Sequence, residues 1–471
     1  MCFLEIRLFL SLKLIKFKGC MGRSSLVSEK VVFKNSKEPG KMKVKKIKKD
    51  QRETPRAYII LSVAMMFYLY EYVLRVSPSV MTNGLMRDFA FTSSSLGMLA
   101  SFYYFSYVAL QIPCGVIVDS WGPRKTVAVS ALLCTVGAYI FAISESIGAA
   151  QLGRFLIGAG SSCAYLSCMK IGSVWFKPGR FAVISGVGMM MGVLGGTFGG
   201  QPLAILVNSS GWRGAMVQSA IVGAVITVIC WVVIRDKPKY TGDYVVEDVV
   251  PTTNFLDGLK LVSSKKQNWL IGVYGCMLFL PLSAYAELWA VPFLMQKYTL
   301  TNDQAAQISV MLFIGMALGS PVGAWLSNKL ESRKKVMAGS AILTFFFFML
   351  IIYLPNVGIN LMYTLQFLAG FVCGWQIVYF AAAQEYNPTE ISGTSIGFTN
   401  FFVMLSGAIF QPALGYVLDA VWSGRYMDDG TPFYSTEDYK MALTVVALGL
   451  LLAVFIVFFM KETYICNKNS K

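Results

Sequence analysis

Two residues of opposite charge stand one helical turn apart inside an apolar stretch, Glu71 and Arg75 in Tyr70-Glu71-Tyr72-Val73-Leu74-Arg75-Val76-Ser77-Pro78. Their spacing puts both on one helix face, with the acid on the N-terminal side, the favourable order for an ion pair. Ionisable groups buried in apolar surroundings mark solute or ion paths by default. Arg75 suits the acidic group of a solute and Glu71 an amine or a proton. The plain alternative is a structural ion pair within the helix. Tyr68, Tyr72 and Ser79 neighbour the same face. A second acid, Glu287, follows Pro281 and precedes Trp289 and Pro292. It suits a proton or an amine, or simply lies in an outer interface. Arg154 faces a cavity or partner, or snorkels, because it stands about one turn from the end of its span. Lys170 reads as snorkelling. Tyr103, Tyr104 and Tyr107, with Trp375, Gln376 and Tyr379, are candidates to line a cavity, although helix packing accounts for each taken singly.

These side chains need elements that hold them in an apolar medium. The 471 residues are 55% hydrophobic and 14% charged, with a mean hydropathy of +0.58, too few charges for a soluble surface. A helix needs about 20 apolar residues to cross a bilayer. Twelve stretches qualify: 57–80, 95–118, 126–144, 149–174, 182–207, 214–235, 268–295, 304–328, 336–354, 358–384, 395–418 and 441–460. At 1.5 Å per residue, Glu71 lies about 21 Å along the first, just beyond the midplane. The predicted organisation is a basic tail over 1–56, a six-helix unit over 57–235, a polar central loop over 236–267, a second six-helix unit over 268–460 and a short tail over 461–471.

Charge placement orients the chain. With the N-terminus inside, inner segments carry thirty-three Lys and Arg and outer ones five; without the tail the bias is seventeen to five. Both termini are therefore expected in the cytoplasm, the protein being multi-pass in the cell inner membrane and facing its lipid. The net charge of +16 follows this topology and does not describe a nucleic-acid groove. The first twenty residues carry charges throughout and do not read as a cleaved signal peptide; Met21 and Met42 are alternative starts. The ten cysteines include no CxxC pair, and Cys114, Cys134, Cys163, Cys168, Cys230, Cys276 and Cys373 read as buried small hydrophobes rather than disulfides or metal ligands. Without histidine, proton coupling falls to Glu71 or Glu287. No GxxxxGK[ST] loop supports ATP-driven pumping, and no polar catalytic cluster points to an enzyme. No metal or cofactor is expected, and a monomer is.

The halves resemble each other. Arg154-Phe-Leu-Ile-Gly158 aligns with Gln366-Phe-Leu-Ala-Gly370, Gln201-Pro202 with Gln411-Pro412, Arg75-Val-Ser-Pro78 with Trp289-Ala-Val-Pro292, and Trp212 with Trp422, at offsets of 210 to 214. Six helices separate each pair, so the copies share one orientation, a parallel repeat with a site expected at the midplane between halves.

Between the second and third spans lies Gly115-Val-Ile-Val-Asp119-Ser-Trp-Gly122-Pro-Arg124-Lys125. It resembles the signature loop of the major facilitator superfamily, G-x-x-x-D-x-x-G-x-R-K. The resemblance covers nearly the whole chain and implies an all-α membrane fold of two six-helix bundles. It also implies that Gly115, Asp119, Gly122, Arg124 and Lys125 form an inner latch, with Asp119 at a helix N-terminus and paired with the two cations. The second-half copy, Gly323 to Asn328, has Asn328 where Asp is usual, which implies a weaker latch. Arg154-x-x-x-Gly158-x-Gly160 resembles another motif of that superfamily. The glycine-rich fifth span lacks the proline of its antiporter motif, so antiport is unsupported.

Within the superfamily, Tyr70 to Met81 and Ala286 to Pro292 resemble phagosomal amino-acid transporters of intracellular bacteria and the lysosomal dipeptide transporter branch. This implies an amino acid or small peptide as solute, each of whose charges gains a partner at Glu71 and Arg75. The alternative is an organic or sugar acid held by Arg75 and Arg154 with a proton on Glu71. Facilitated diffusion, or a sensor without flux whose basic tail meets lipid or a partner, is the remaining reading.

Overall fold

The computed structural model describes residues 53–176, 180–237, 255–355, 358–388 and 391–464. Nearly all of the basic tail, most of the central loop, Lys177 and the last residues of the C-terminal tail lie outside the described residues. Nine helices among those described are long and apolar enough to cross a membrane, ten when the bent helix Ser93–Trp121 counts as one span. One of the nine, Val183–Val233, runs for 51 residues and holds two predicted spans, which part at Gly211, where φ is 70°. The fourth predicted span is broken into Ile147–Ser161 and Ala164–Trp175, each too short to span alone. All twelve stretches are thus helical.

They are labelled here α1 (Pro55–Val76), α2 (Ser93–Trp121), α3 (Pro123–Ala142), α4 (Ile147–Ser161 and Ala164–Trp175), α5 (181–210), α6 (212–233), α7 (Lys266–Tyr298), α8 (Asn302–Lys329), α9 (Arg333–Tyr353), α10 (Ile359–Tyr386), α11 (Ser392–Val421) and α12 (Thr436–Phe459). Packing repeats between halves. α1 lies on α5 as α7 lies on α11; α2 lies on α4 as α8 on α10; α3 contacts α4 and α6 as α9 contacts α10 and α12. Across the halves α2 packs on α11, and α5 on α8. The lipid-type faces are apolar, with Val136, Leu132, Phe346, Leu448 and Phe455 exposed.

Two helices are irregular where the charges sit, and a third is irregular at Gln376. α1 gives way after Val76 to a 3-10 turn, Ser77–Val80, begun by Ser77 and Pro78. α7 carries a π-helical segment, Pro281–Trp289, around Glu287. α10 tightens to 3-10 at Gly374–Ile377. Such departures from α geometry concentrate at functional sites.

Candidate functional site

Arg75 closes the last turn of α1, where a cation complements the helix dipole. Its guanidinium does not pair with Glu71. It reaches across the halves, and Nε donates to Glu287 Oε2 on α7 at 3.1 Å, with Oε1 equally close. Nη2 donates to the Tyr104 hydroxyl at 2.9 Å, and that hydroxyl donates to Glu287 Oε2. The helical i, i+4 pairing expected of Glu71 and Arg75 is lost because a carboxylate from the other half meets Arg75 in a place sealed from water. Both side chains are buried, Arg75 at 4% and Glu287 at 0% exposure. Glu287 therefore lies in the central contact and not in an outer interface. The guanidinium also faces the rings of Tyr72, Tyr104, Phe279 and Tyr103 at 4.8, 5.1, 5.6 and 5.8 Å, an aromatic enclosure that favours a cation.

Glu71 keeps to its own half. Its Oε2 accepts from the Tyr103 hydroxyl at 3.0 Å, and it is buried. Tyr68 packs edge-on to Tyr72 and against Tyr165. The buried acids thus have different partners: Glu287 a cation and Glu71 a hydroxyl.

Arg154 does not snorkel. It is 1% exposed and donates to backbone carbonyls, Leu74 at 2.8 Å, Arg75 at 3.3 Å and Ala100 at 3.5 Å. These include carbonyls that α1 leaves without helical partners where it turns into the 3-10 segment. Arg154 thereby fixes the backbone that carries Arg75. Gly158 of the same motif lets α4 approach α2 so closely that a Cβ there would lie 2.0 Å from the Tyr103 carbonyl.

The remaining candidates are spread out. Trp289 donates its indole N–H to the Gln411 carbonyl at 3.2 Å, tying α7 to α11. Tyr379 is buried on α10 against Gly275. Gln376 is buried with only sulfur partners for its amide, Cys373 and Met316, and its Oε1 has no partner. Trp375 packs within the second half against Gly323 and Phe371, away from the charged cluster. Its large ring fills the α8–α10 contact that a glycine opens.

At the signature loop the pairing differs from expectation. Asp119 lies in the last turn of α2, not at a helix N-terminus, and bonds Lys170 of α4 at 2.8 Å. Lys170, expected to snorkel, reaches the end of α2, where the exposed Asp119 carboxylate meets it. Arg124 instead donates to the Trp231 carbonyl and stacks on the Trp231 ring. The carboxylate at the N-terminus of α3 is Asp236, which accepts from the Arg124 backbone N–H at 2.9 Å. Gly122, with φ of 79°, shapes the turn beside it; Lys125 is exposed. In the second half Arg333 bonds Asn328, Ser327 and, through two nitrogens, Glu385 of α10. The missing Asp is offset by Glu385, which the loop motif alone could not reveal.

Cys114 and Cys163 also depart from the reading of isolated thiols. They form a disulfide between α2 and α4, their Cα atoms 5.4 Å apart. The helix break at Ser162 and Cys163 and the bend of α2 near Pro113 bring them together.

The sequence profile described as the Major Facilitator Superfamily matches residues 59–412 and 273–470. The chain belongs to this superfamily. It is 22% identical over 289 residues to a probable sulfoacetate transporter of Cupriavidus necator, covering 59% of this chain and 66% of that protein. It is 23% identical over 391 residues to a probable hexose phosphate transport protein of Chlamydia trachomatis, covering 76% and 85%. A crystal structure of a bacterial homolog to the human lysosomal transporter Spinster, inward-facing and unoccupied, matches with a TM-score of 0.73 at 15% identity. That match covers 86% of this chain and 97% of that one, and shows a shared fold. The protein is thus a multi-pass membrane transporter of the major facilitator type.

Proposed function

We propose that this protein carries a small solute with an acidic group across the membrane by alternating access, and that the solute is a zwitterion, an amino acid or dipeptide. The observation that carries this reading is the Arg75–Glu287 pair between the halves. Arg154 is spent on carbonyls, so among the described residues the cluster offers one cation, Arg75, already balanced by one acid. A solute carboxylate that takes Arg75 leaves Glu287 buried and unpaired, which is costly unless a second positive group arrives. A zwitterion supplies that group, its ammonium to Glu287 and its carboxylate to Arg75, so every charge keeps a partner.

The second reading is an organic or sugar acid carried with a proton. It is favoured by relatives named for sulfoacetate and hexose phosphate, both acidic solutes. Here a proton on Glu287 or Glu71 takes the place of the amine. Of the two acids Glu71 suits the proton better, since it is held by Tyr103 and has no cation within ion-pair distance among the described residues. Asp119 and Lys170 with Arg124 and Asp236 act as an inner fastening. The positive-inside count supports a bacterial inner-membrane protein with both termini in the cytoplasm, working as a monomer facing lipid. A sensor without flux is the reading of another class.

Purified protein in proteoliposomes, screened with amino acids, dipeptides, organic acids and sugar acids with and without a proton gradient, tests these readings. Competition by amino acids or dipeptides supports the first. Uptake of simple acids alone, with Glu287→Gln still binding them, replaces it with the second. Solute binding without any uptake points to a sensor.

A further inference from the structure

The helix α2 begins without a side-chain cap of its own, for the hydroxyl of Thr92 makes no hydrogen bond to the first-turn backbone. Four N–H groups at a helix start have no partner within the helix, and an acidic group is the favoured acceptor there. The acceptor comes from the other half. Asp419, in the last turns of α11, receives the Ser93 N–H on Oδ1 at 2.9 Å and the Ser94 N–H on Oδ2 at 2.9 Å. The Ser94 hydroxyl donates to Oδ2 and the Tyr434 hydroxyl to Oδ1 at 2.6 Å. One carboxylate thus takes four donors, three of them from across the boundary between halves.

The cap ends a seam. α2 and α11 run antiparallel, Ser93 against Gly415, Gly97 against Gln411 and Tyr104 against Gly407. A Cβ on Gly415 would lie 2.2 Å from the Ser93 carbonyl, and one on Gly97 2.5 Å from the Gln411 carbonyl, so the backbones touch. Eleven residues of α2 span about 16 Å between Asp419 and the charged cluster. The seam's inner end is Tyr104, which holds both Arg75 and Glu287. Near the matching junction the bonds are an amide to a carboxylate, Asn208 of α5 to Asp303 of α8, and an amide to a carbonyl, Asn302 of α8 to Val80 in the turn after α1, beside a cleft of about 190 Å³.

We propose that Asp419 is the releasable latch of this end of the transporter: its carboxylate caps α2 from the opposite half while the seam is shut and is freed when the halves part. The inference rests on the alternating-access reading, since only a chain that opens here needs a cap it can shed. A fixed structural contact would be supplied more simply by Thr92 within α2 itself.

The test uses full-length protein carrying Ser101→Cys, a fully buried position in the seam between Gly97 and Tyr104. Alkylation of residue 101 by a hydrophilic maleimide is followed by peptide mass spectrometry. Asp419→Ala is expected to speed alkylation about fivefold, the factor to which a typical capping free energy corresponds. Tyr434→Phe removes one donor to Asp419 and the weaker second acceptor of the Ser93 N–H, at 3.3 Å, but leaves the Asp419 carboxylate on α2, and is expected to give a smaller rise of the same sign. Unchanged alkylation in folded Asp419→Ala, or in Tyr434→Phe should the alanine variant fail to fold, overturns the latch. Because alkylation needs no known solute, an uptake screen in which nothing moves would overturn the transport reading alone.

Discussion

Arg75 and Glu287 are 212 residues apart and in direct contact, and that interval lies within the offsets relating the two halves of the sequence. Arg75 aligns with Trp289 in the motif repeat, so Glu287 stands two residues before the place that matches Arg75 in the first helix of the second half. In a parallel repeat the two first helices face one another about the axis between the halves. Residues near that axis meet their counterparts. Here a base in one half meets an acid two places before its counterpart in the other, so that the two attract.

If that attraction holds the closed cluster together, removing one partner is more damaging than removing both. Arg75→Met and Glu287→Leu singly are each expected to destabilise the protein by about 3–5 kcal/mol. The double variant is expected to regain most of the loss. Thermal unfolding in detergent with a double-mutant cycle measures the coupling.

Glu71→Gln keeps an acceptor for the Tyr103 hydroxyl but cannot take up a proton. Proton-driven accumulation should vanish while solute exchange between equal pools persists. Comparing gradient-driven uptake with counterflow separates the two, and full accumulation by the variant would remove Glu71 from the coupling path.

Arg154 holds the backbone beneath Arg75, and its effect on transport is expected to run through that backbone. Arg154→Lys keeps the charge but not the fork that spans the Leu74, Arg75 and Ala100 carbonyls. All transported solutes should lose affinity in proportion, with their rank order unchanged. A changed rank order would place Arg154 in contact with solute.

A fourth expectation concerns Asp88, which accepts from the Trp212 indole at 2.9 Å and from Arg213 and Arg87. Burial pushes its carboxyl up, but the bonds from Trp212, Arg87 and Arg213 outweigh this and hold it below the usual carboxylate range. A group with a lowered folded-state pKa stabilises the protein above its unfolded pKa, and the effect is lost as pH falls through the folded value. Asp88→Asn should therefore be less stable than the parent at neutral pH, and the difference should shrink below about pH 4. Melting temperatures across pH 3–7 check the sign.

The helices, the repeat and the charged residues were legible because each rests on local pattern: apolar length, a recurring interval, a charge where none is affordable. Partner choice was not. Glu71 and Arg75 look paired in one dimension because a helix brings i and i+4 together. Only the meeting of halves shows that Glu287 outcompetes Glu71 and that Tyr103 takes the remainder. Tyr104 is one tyrosine of a run until the fold sets its hydroxyl between an acid and a base. Asp419 carried no signal, since nothing local to α11 points to the start of α2. The Cys114–Cys163 disulfide depends on two helix breaks meeting, which spacing along the chain does not encode. Asp119 was assigned to Arg124 and Lys125 by proximity in sequence, whereas Lys170 reaches it from α4.

The most direct measurement is solute uptake by Arg75→Gln/Glu287→Gln, which removes both charges of the central pair together and so avoids leaving either one buried alone. The account predicts a folded protein that neither binds nor transports the solutes moved by the parent. Uptake at the parent rate would contradict it.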